Sequence, residues 1–377
     1  MSTHSNNLPI PKYFWPFLFL DPLKIFEEKL QLSTNDFLNL CLKNAAKGYG
    51  LTKPNPMVGS VLVDSSQKIY EHYHTHFGGP HAERNLLENL PMSVTKNATL
   101  YCNLEPCQHS NKKTQPCVPL IIKSQIKKVV IASEDNNPSV SGKGIIELRS
   151  HGIEVELLGI ANQEATYLNR TFFISNKRKR PYIHLKLATT LDNCFASDQD
   201  SNTAFITNEK SRELVQWIRA GVQSILIGGK TLRTDNPKLT VRLEHFNKDK
   251  HFKQPNRIIF SSQRIDKTSN YHLFNDESSQ QTSIVGLVSP NELKEWLSLQ
   301  FENGITSMLI EGGPGLQQLF LEEDLFDEIS FFIAPQILGG NQKLFFKKPR
   351  KIEEALSLRG GRWYQLDEDL CFHYIKK

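Results

Sequence analysis

From Ser33 onward the chain alternates between two hydrophobic periods, one suited to helices and one to strands. Ser33 or Thr34 is placed to cap a first helix that turns Phe37, Leu40, Cys41 and Leu42 toward a core. Short apolar runs predict strands at Gly59 to Val63, Thr99 to Leu104, Lys128 to Ala132 and Ile153 to Leu158. Helices are expected to begin near His81 and after Pro116. Strands that alternate with helices imply a layered α/β domain with a largely parallel or mixed sheet.

A basic run from Asn176 to Arg180, closed by Pro181, reads as an exposed connector, with a nuclear-localisation signal as the alternative. It divides the chain into an extension over 1–32, a first domain over 33–175, a linker over 176–181 and a second domain over 182–377. Beyond it, strand-like runs recur at Tyr182 to Leu187, Ser224 to Ile227, Arg257 to Phe260, Thr306 to Ile310, Ile329 to Ile333 and Cys371 to Ile375. Helical patterns at Glu209 to Ala220, Asn291 to Phe301 and Leu316 to Leu325 separate several of them, which predicts a second α/β domain.

Composition narrows the class. A chain of 377 residues exceeds one ordinary core, and 39% hydrophobic with 23% charged residues is the mixture of a water-soluble globular protein. Lysine and arginine outnumber aspartate and glutamate only 45 to 40, so the net field gives little reason to expect a duplex nucleic acid as partner. Six cysteines without a secretory signal point to the reducing cytoplasm, with thiols as ligands or core residues. The apolar stretch from Phe14 to Leu20 is broken by Pro16 and far too short to span a bilayer. It reads as a packing arm or an upstream-start extension, with an interfacial anchor as the alternative.

The chemistry concentrates in the first domain. His81-Ala82-Glu83 follows Gly78, Gly79 and Pro80 where a loop should enter a helix, and Pro106-Cys107 ends a strand soon after. In zinc deaminases a histidine and two cysteines bind the metal, while a glutamate two residues after the histidine shuttles protons. Three protein ligands leave a fourth position for water, whose pKa the metal lowers toward neutrality. Glu83 is therefore the expected proton carrier, with His81 and Cys107 as ligands. The usual signature separates its cysteines by two residues, but here Cys107 and Cys117 are separated by the nine from Gln108 to Pro116. Cys102 and His109 compete for the third position, yet Cys102 alternates with Leu100 and Leu104 along a strand and reads as core. Cys117, which follows Pro116 at an expected helix start that favours thiolate, is the choice.

Further motifs resemble the bifunctional deaminase/reductase family of riboflavin biosynthesis. Asn55 to Gly59, His74 seven residues before His81, Leu104 to Cys107, and Asp135-Asn136-Asn137-Pro138 match that family's first domain. Lys186-Leu187-Ala188 with Leu191-Asp192, Thr231 with Asp235, Pro237, Leu239, Thr240 and Arg242, and Glu311-Gly312-Gly313-Pro314 match its second. The resemblance implies a cytidine-deaminase-like three-layer domain followed by a dihydrofolate-reductase-like α/β domain. It implies zinc and NADPH, small phosphorylated pyrimidine substrates and a homo-oligomer, with neither nucleic acid nor membrane as partner. A diaminopyrimidinone bearing a phosphoribosylamino group would be deaminated to the uracil, and its ribosyl group then reduced to ribityl.

Carried over residue by residue, Asn55, His74, His109, Lys113, Asp135 and Asn137 would contact the first substrate. Ala188, Phe205, Thr231, Asp235, Ser261 and Gly313-Pro314-Gly315-Leu316-Gln317-Gln318-Leu319 would contact the nicotinamide nucleotide. Thr203, Arg219, Leu239, Arg242 and Glu311 would contact the second substrate, and Lys186 and Asp235 are candidates for protonation during hydride transfer. The chain departs from the family in the long span before Cys117, which lacks the usual glycine, and at Tyr70 and His72, where glycines are usual. In the second domain Asn193 replaces a glycine and Phe205 a tryptophan. These leave three alternatives: a deaminase with a degenerate reductase-like partner domain, a deaminase of nucleosides or nucleic-acid bases, and a nucleotide-binding protein without chemistry.

Overall fold

The computed structural model describes residues 32–108, 114–135, 142–158, 163–196, 205–286, 289–342, 351–355, 358 and 361–376. His109, Lys113, Asn137, Thr203 and nearly all of the expected N-terminal extension lie outside the described residues. The chain divides into two units that part between Arg178 and Lys179, with the short piece Lys250–Phe252 grouped with the first.

The first unit opens with α1 (Thr34–Ala46), and Ser33 caps it in a box that Asp36 closes. Its buried stripe uses Phe37, Leu38, Cys41 and Leu42, so Leu38 takes the place expected of Leu40. The strands are β1 (Gly59–Val63), β2 (Ile69–Tyr73), β3 (Thr99–Cys102), β4 (Lys128–Ile131) and β5 (Glu154–Leu157), in the order β2-β1-β3-β4-β5. Pairing is antiparallel from β2 to β3 and parallel from β3 to β5. Helices α2 (Ala82–Leu87), α3 (Met92–Thr95), α4 (Val118–Lys123), α5 (Lys143–Ser150), α6 (Gln163–Leu168) and α7 (Arg170–Arg178) complete the unit.

Alternation along the strands assigns the layers. Leu62, Leu100 and Cys102 join one core with Leu86 and Leu87 of α2, Val118 and Ile121 of α4, and Ile145 and Leu148 of α5. The neighbouring positions face the other way, since Tyr101 stacks with Phe37 of α1 at 4.8 Å. Gly59 also faces α1, so closely that an added Cβ would lie 2.1 Å from the Cys41 carbonyl oxygen. Helices on both faces of one sheet give the three layers. The expected connector over 176–181 is helical as far as Arg178. Asn176 Nδ2 donates to the Phe172 carbonyl at 2.8 Å, and Lys177 and Arg178 sit where the helix dipole favours cations.

The second unit contains β6 (Tyr182–Thr190), α8 (Glu209–Ala220), β7 (Ser224–Gly228), α9 (Gly229–Asp235), α10 (Glu244–Asn247), β8 (Asn256–Ser261), α11 (His272–Asn275) and β9 (Thr282–Gly286). There follow α12 (Pro290–Glu302), β10 (Ser307–Ile310), α13 (Pro314–Glu322), β11 (Glu328–Ala334), β12 (Arg362–Leu366) and β13 (Asp369–Ile375). The sheet order is β12-β13-β11-β6-β10-β7-β8-β9, parallel from β11 to β9 and antiparallel at β12 and β13. Ile183, Leu185 and Leu187 of β6 pack with Leu293 and Leu297 of α12 and Phe320 of α13. Each such burial stabilises the unit by about 1.5 to 3 kcal/mol. Period two then turns His184, Lys186 and Ala188 to the opposite face. No described helix is long and apolar enough to cross a membrane.

Candidate functional site

Helix starts position the first cluster. His81 is the extended residue that precedes α2, and Cys117 precedes α4. Cys107 follows the strand end of β3, and its carbonyl accepts the amides of Cys117 and Val118 at 2.9 and 3.1 Å, which locks the two cysteine segments together. His81 Nδ1 lies 3.3 Å from Cys107 Sγ and 3.5 Å from Cys117 Sγ, and the three donor atoms all lie within 4.8 Å of one another. A tetrahedral zinc ion with bonds of about 2.0 to 2.3 Å separates its ligand atoms by roughly 3.3 to 3.8 Å, so donor set and spacing both fit it. Hydrogen bonding from Cys117, with help from His81, holds the Cys107 thiol far below its usual range against burial. The neighbouring Cys107 sulfur and burial push the Cys117 thiol up.

Glu83 stands one residue inside α2, 3% exposed, with its Oε2 accepting from Cys117 Sγ at 3.5 Å. Burial pushes its carboxyl pKa up, while His81 pulls it down less strongly. Cys102 lies in the β3 core with its sulfur 3.8 Å from Ser60 Oγ, as its alternation predicts.

The carried-over Asn55 and His74 converge on the same place. Asn55 Nδ2 lies 3.3 Å from His74 Nε2, His74 Nδ1 lies 2.9 Å from the Pro80 carbonyl, and the His74 and His81 rings meet edge to face at 5.5 Å. The departures at Tyr70 and His72 fall elsewhere. Tyr70 packs on the core that contains Leu62, and the His72 ring meets the backbone of Tyr73.

Sequence reasoning missed the residues that brace this cleft. Glu105, inside the leucine-glutamate-proline-cysteine motif, accepts the amides of Asp135, Gly142 and Gly144 at 3.1 to 3.2 Å. Asn103 holds Gly59 N and Met57 O, and Asn169 holds both polar backbone groups of Met57. The sequence signalled only Glu105 and Asn103, which lie in and beside the Leu104 to Cys107 motif. Thr114, also unforeseen, places its hydroxyl 3.1 Å from His81 Nε2. Glu105→Gln turns an NH2 toward one of those amides, which costs about 1.5 to 3 kcal/mol. A raised KM for deamination, with zinc content unchanged, is the expected result in steady-state kinetics, since Asp135 sits at the end that Glu105 holds.

In the second unit most carried-over residues gather at the carboxyl ends of parallel strands, where open α/β sheets bind ligands. Glu311 follows β10 and pairs with Arg219 of α8 through both oxygens, at 2.6 and 2.8 Å. Arg219 also reaches the Thr240 carbonyl at 3.3 Å, and the Arg242 amide donates to Gln216 at 2.9 Å. Leu239 is buried with φ +53° between them. Burial is the largest influence lowering Lys186, with Glu311 opposing it, and burial likewise raises Asp235 while Lys186 pulls it back.

The expected loop from Thr231 begins as helix α9 and turns at Asn236 with φ +41°. Thr231 Oγ1 accepts the Gly313 amide at 2.8 Å, so that donor is already used within the fold. Gly312 allows the turns after β7 and β10 to touch, because an added Cβ would lie 2.9 Å from Gly228 N. Leu316 belongs to the core, while the Gln317 amide donates to the Lys186 carbonyl at 2.6 Å and that of Gln318 to Glu322. Leu319 packs against the same core, and Ala188 lies two residues beyond Lys186 on one face of β6. Ser261 ends β8 against Gly229, and Gly315 has open space where a side chain would be. Asn193 adopts φ +66°, the left-handed conformation that its glycine counterpart would allow and asparagine tolerates. Phe205 is 72% exposed, with the Arg212 guanidinium 4.7 Å from its ring centre.

Both units match one group of known proteins. A family model described as RibD C-terminal domain matches residues 181–372, and one described as cytidine and deoxycytidylate deaminase zinc-binding region matches residues 32–133. Riboflavin biosynthesis protein RibD of Aquifex aeolicus is 36% identical over 356 residues, 90% of this chain and 97% of that protein. Its counterpart in Escherichia coli is 31% identical over 364 residues, 90% of this chain and 98% of that protein. The solved structure of Acinetobacter baumannii RibD superposes with a TM-score of 0.82 at 32% identity, covering 91% of this chain and 99% of that one. The deaminase/reductase structure from Thermotoga maritima gives 0.79 at 31% identity with the same coverage. The two clusters thus sit in a chain that belongs to the RibD family of riboflavin biosynthesis proteins.

Proposed function

We propose that this bifunctional deaminase and reductase, which uses zinc and NADPH, divides its chemistry between the two clusters just described. The substrate is 2,5-diamino-6-(5-phosphoribosylamino)pyrimidin-4(3H)-one, deaminated to 5-amino-6-(5-phosphoribosylamino)uracil and then reduced to the ribityl compound. The observation that carries the first half is the convergence of His81, Cys107 and Cys117 beside a buried Glu83.

His81, Cys107 and Cys117 would hold zinc, which would supply an acidified water for attack on the amine-bearing ring carbon. Glu83 takes the proton released in that attack and returns it to the departing amine, so one carboxyl serves both steps. Asn55 and His74 orient the pyrimidine, and Asp135 meets the ribose and phosphate side, joined by His109, Lys113 and Asn137. In the second unit bound NADPH would supply the hydride for the sugar carbon, and opening of the sugar ring would require a proton on the ring oxygen. Lys186 or Asp235 gives that proton, while Arg219, Arg242, Leu239 and Glu311 shape the substrate side together with Thr203. Thr231, Ser261, Ala188, Phe205 and the turn from Gly313 to Leu319 receive the nucleotide, with Leu316 and Gln317 contributing through backbone.

Metal content measured beside coupled turnover tests the assignment. Cys117→Ser should lose zinc and ammonia release, while oxidation of NADPH with the deaminated intermediate continues. Unchanged zinc in that variant removes Cys117 from the ligand set, and absent NADPH oxidation in the parent protein removes the second role. All six cysteines are free, which supports a reducing cytoplasm as its location. A homo-oligomer is expected, and sedimentation will read it.

A further inference from the structure

One face of the second sheet carries a buried cluster that neither reaction uses. His184 stands on β6, Glu328 and Ser330 on β11, and His373 on β13. These strands are neighbours, and their register sets Glu328 beside His184 and Ser330 beside both Lys186 and His373. All four side chains therefore share the face that Lys186 occupies, opposite the core of Ile183 and Leu185. His184 is 5% exposed, Glu328 2%, Ser330 0% and His373 1%.

The contacts fix how each ring is turned. Glu328 Oε1 lies 3.1 Å from His373 Nε2 and 3.7 Å from His184 Nδ1. Ser330 Oγ lies 2.8 Å from His184 Nε2 and 3.0 Å from His373 Nδ1. Each imidazole thus gives one nitrogen to the hydroxyl and the other to the carboxylate. A serine oxygen has two lone pairs, so Ser330 can accept an N–H from each ring. A neutral ring that donates to Ser330 turns the lone pair of its other nitrogen toward Glu328. In a dry interior a lone pair facing a carboxylate is repulsive, and a cation between them turns the repulsion into ligation.

We propose that His184, Glu328 and His373 form a second metal site, for a divalent ion of the zinc class. One donor atom from each of the three residues lies within 4.8 Å of the others. Bonds of about 2.0 to 2.2 Å to a tetrahedral zinc ion place such atoms roughly 3.4 Å apart, between the two distances seen. Ser330 supplies the outer hydrogen bonds that orient ligating histidines and select which nitrogen is bare. Burial closes the site to substrate, so its role is structural: it ties β6, β11 and β13 together two residues before Lys186. The sequence hid it, because its members are scattered over 190 positions and each looks like a core polar residue.

Metal counting decides the matter. Protein stripped of metal, reloaded with Zn2+ and dialysed should hold two equivalents per chain. The double variant Cys107→Ser, Cys117→Ser should keep one, and adding His373→Gln to it should remove that one. With Co2+ as the probe, the double variant should show ligand-field bands without the near-ultraviolet thiolate band. One equivalent in the parent protein, lost when both cysteines are replaced, overturns the proposal and leaves a proton as the cluster's cation. Should His373→Gln not fold, the cobalt spectrum of the double variant still decides: cobalt retained without sulfur ligation supports the site, and no cobalt overturns it. Failure of the His81 cluster would instead appear as one equivalent in the parent protein that the cysteine substitutions leave unchanged and His373→Gln removes.

Discussion

Glu83→Gln should lower kcat for ammonia release by about 10²- to 10⁴-fold, the range for loss of a positioned acid and base. Zinc content should stay at the parent value, because the glutamate is not one of the three converging donors. The substitution is nearly isosteric, and glutamine keeps an oxygen that can accept from Cys117 as Oε2 does at 3.5 Å. What disappears is the ability to carry a proton. The burial that raises the Glu83 carboxyl makes it a closer match to the proton it must take and return. Oxidation of NADPH with the deaminated intermediate should continue at the parent rate, since that reaction belongs to the other cluster. Ammonia release within tenfold of the parent enzyme, zinc being retained, would remove Glu83 from the proton path.

How far the sequence reached depended on whether a residue's environment was local. Strand β1 and helix α8 have the bounds that periodicity predicts, because each is apolar enough to advertise its burial. Strands β2 and β12 escaped, for their residues are mostly half-buried or exposed and carry no alternating apolar face. Helix α5 escaped as well, short and opened by Gly142 in a left-handed conformation. The metal cluster was legible because its chemistry demands rare residue types at helix starts and strand ends. Glu105 was printed inside a recognised motif, yet its three amide contacts come from residues 30 to 39 positions away. The pair of Arg219 and Glu311, 92 positions apart, is likewise a product of folding that no spacing rule encodes. The carried-over motifs brought such residues onto one list without saying which touch. That distinction matters at Gly313, which the motif assigns to the nucleotide and whose amide the fold gives to Thr231.

Lys186→Met should lower reductase kcat by about 10²- to 10⁴-fold while leaving deamination and the folded state intact. Burial is the first cause of the depressed Lys186 pKa, and Glu311 and Asp235 only partly restore the charge. The folded environment therefore disfavours the ammonium, so an uncharged side chain of similar length should not lower the thermal midpoint. Linkage gives the sign of the pH dependence. With its folded pKa below the unfolded value, Lys186 imposes its full penalty on stability below the folded pKa, and that penalty fades as pH rises toward the unfolded one. The thermal advantage of the methionine variant should thus be greatest below the lowered pKa of Lys186 and shrink in alkali. Activity should behave differently: the ammonium is lost as pH rises through the lowered pKa, so reduction should fail at a lower pH than an ordinary lysine would set. Lys186→Arg separates two roles, because a guanidinium keeps the charge at all accessible pH but cannot release a proton. If Lys186 gives the proton, the arginine variant stays as slow as the methionine one. If it only attracts an anionic group, arginine restores turnover and moves the alkaline limit upward, and the proton then comes from Asp235, whose raised carboxyl pKa suits it to hold one.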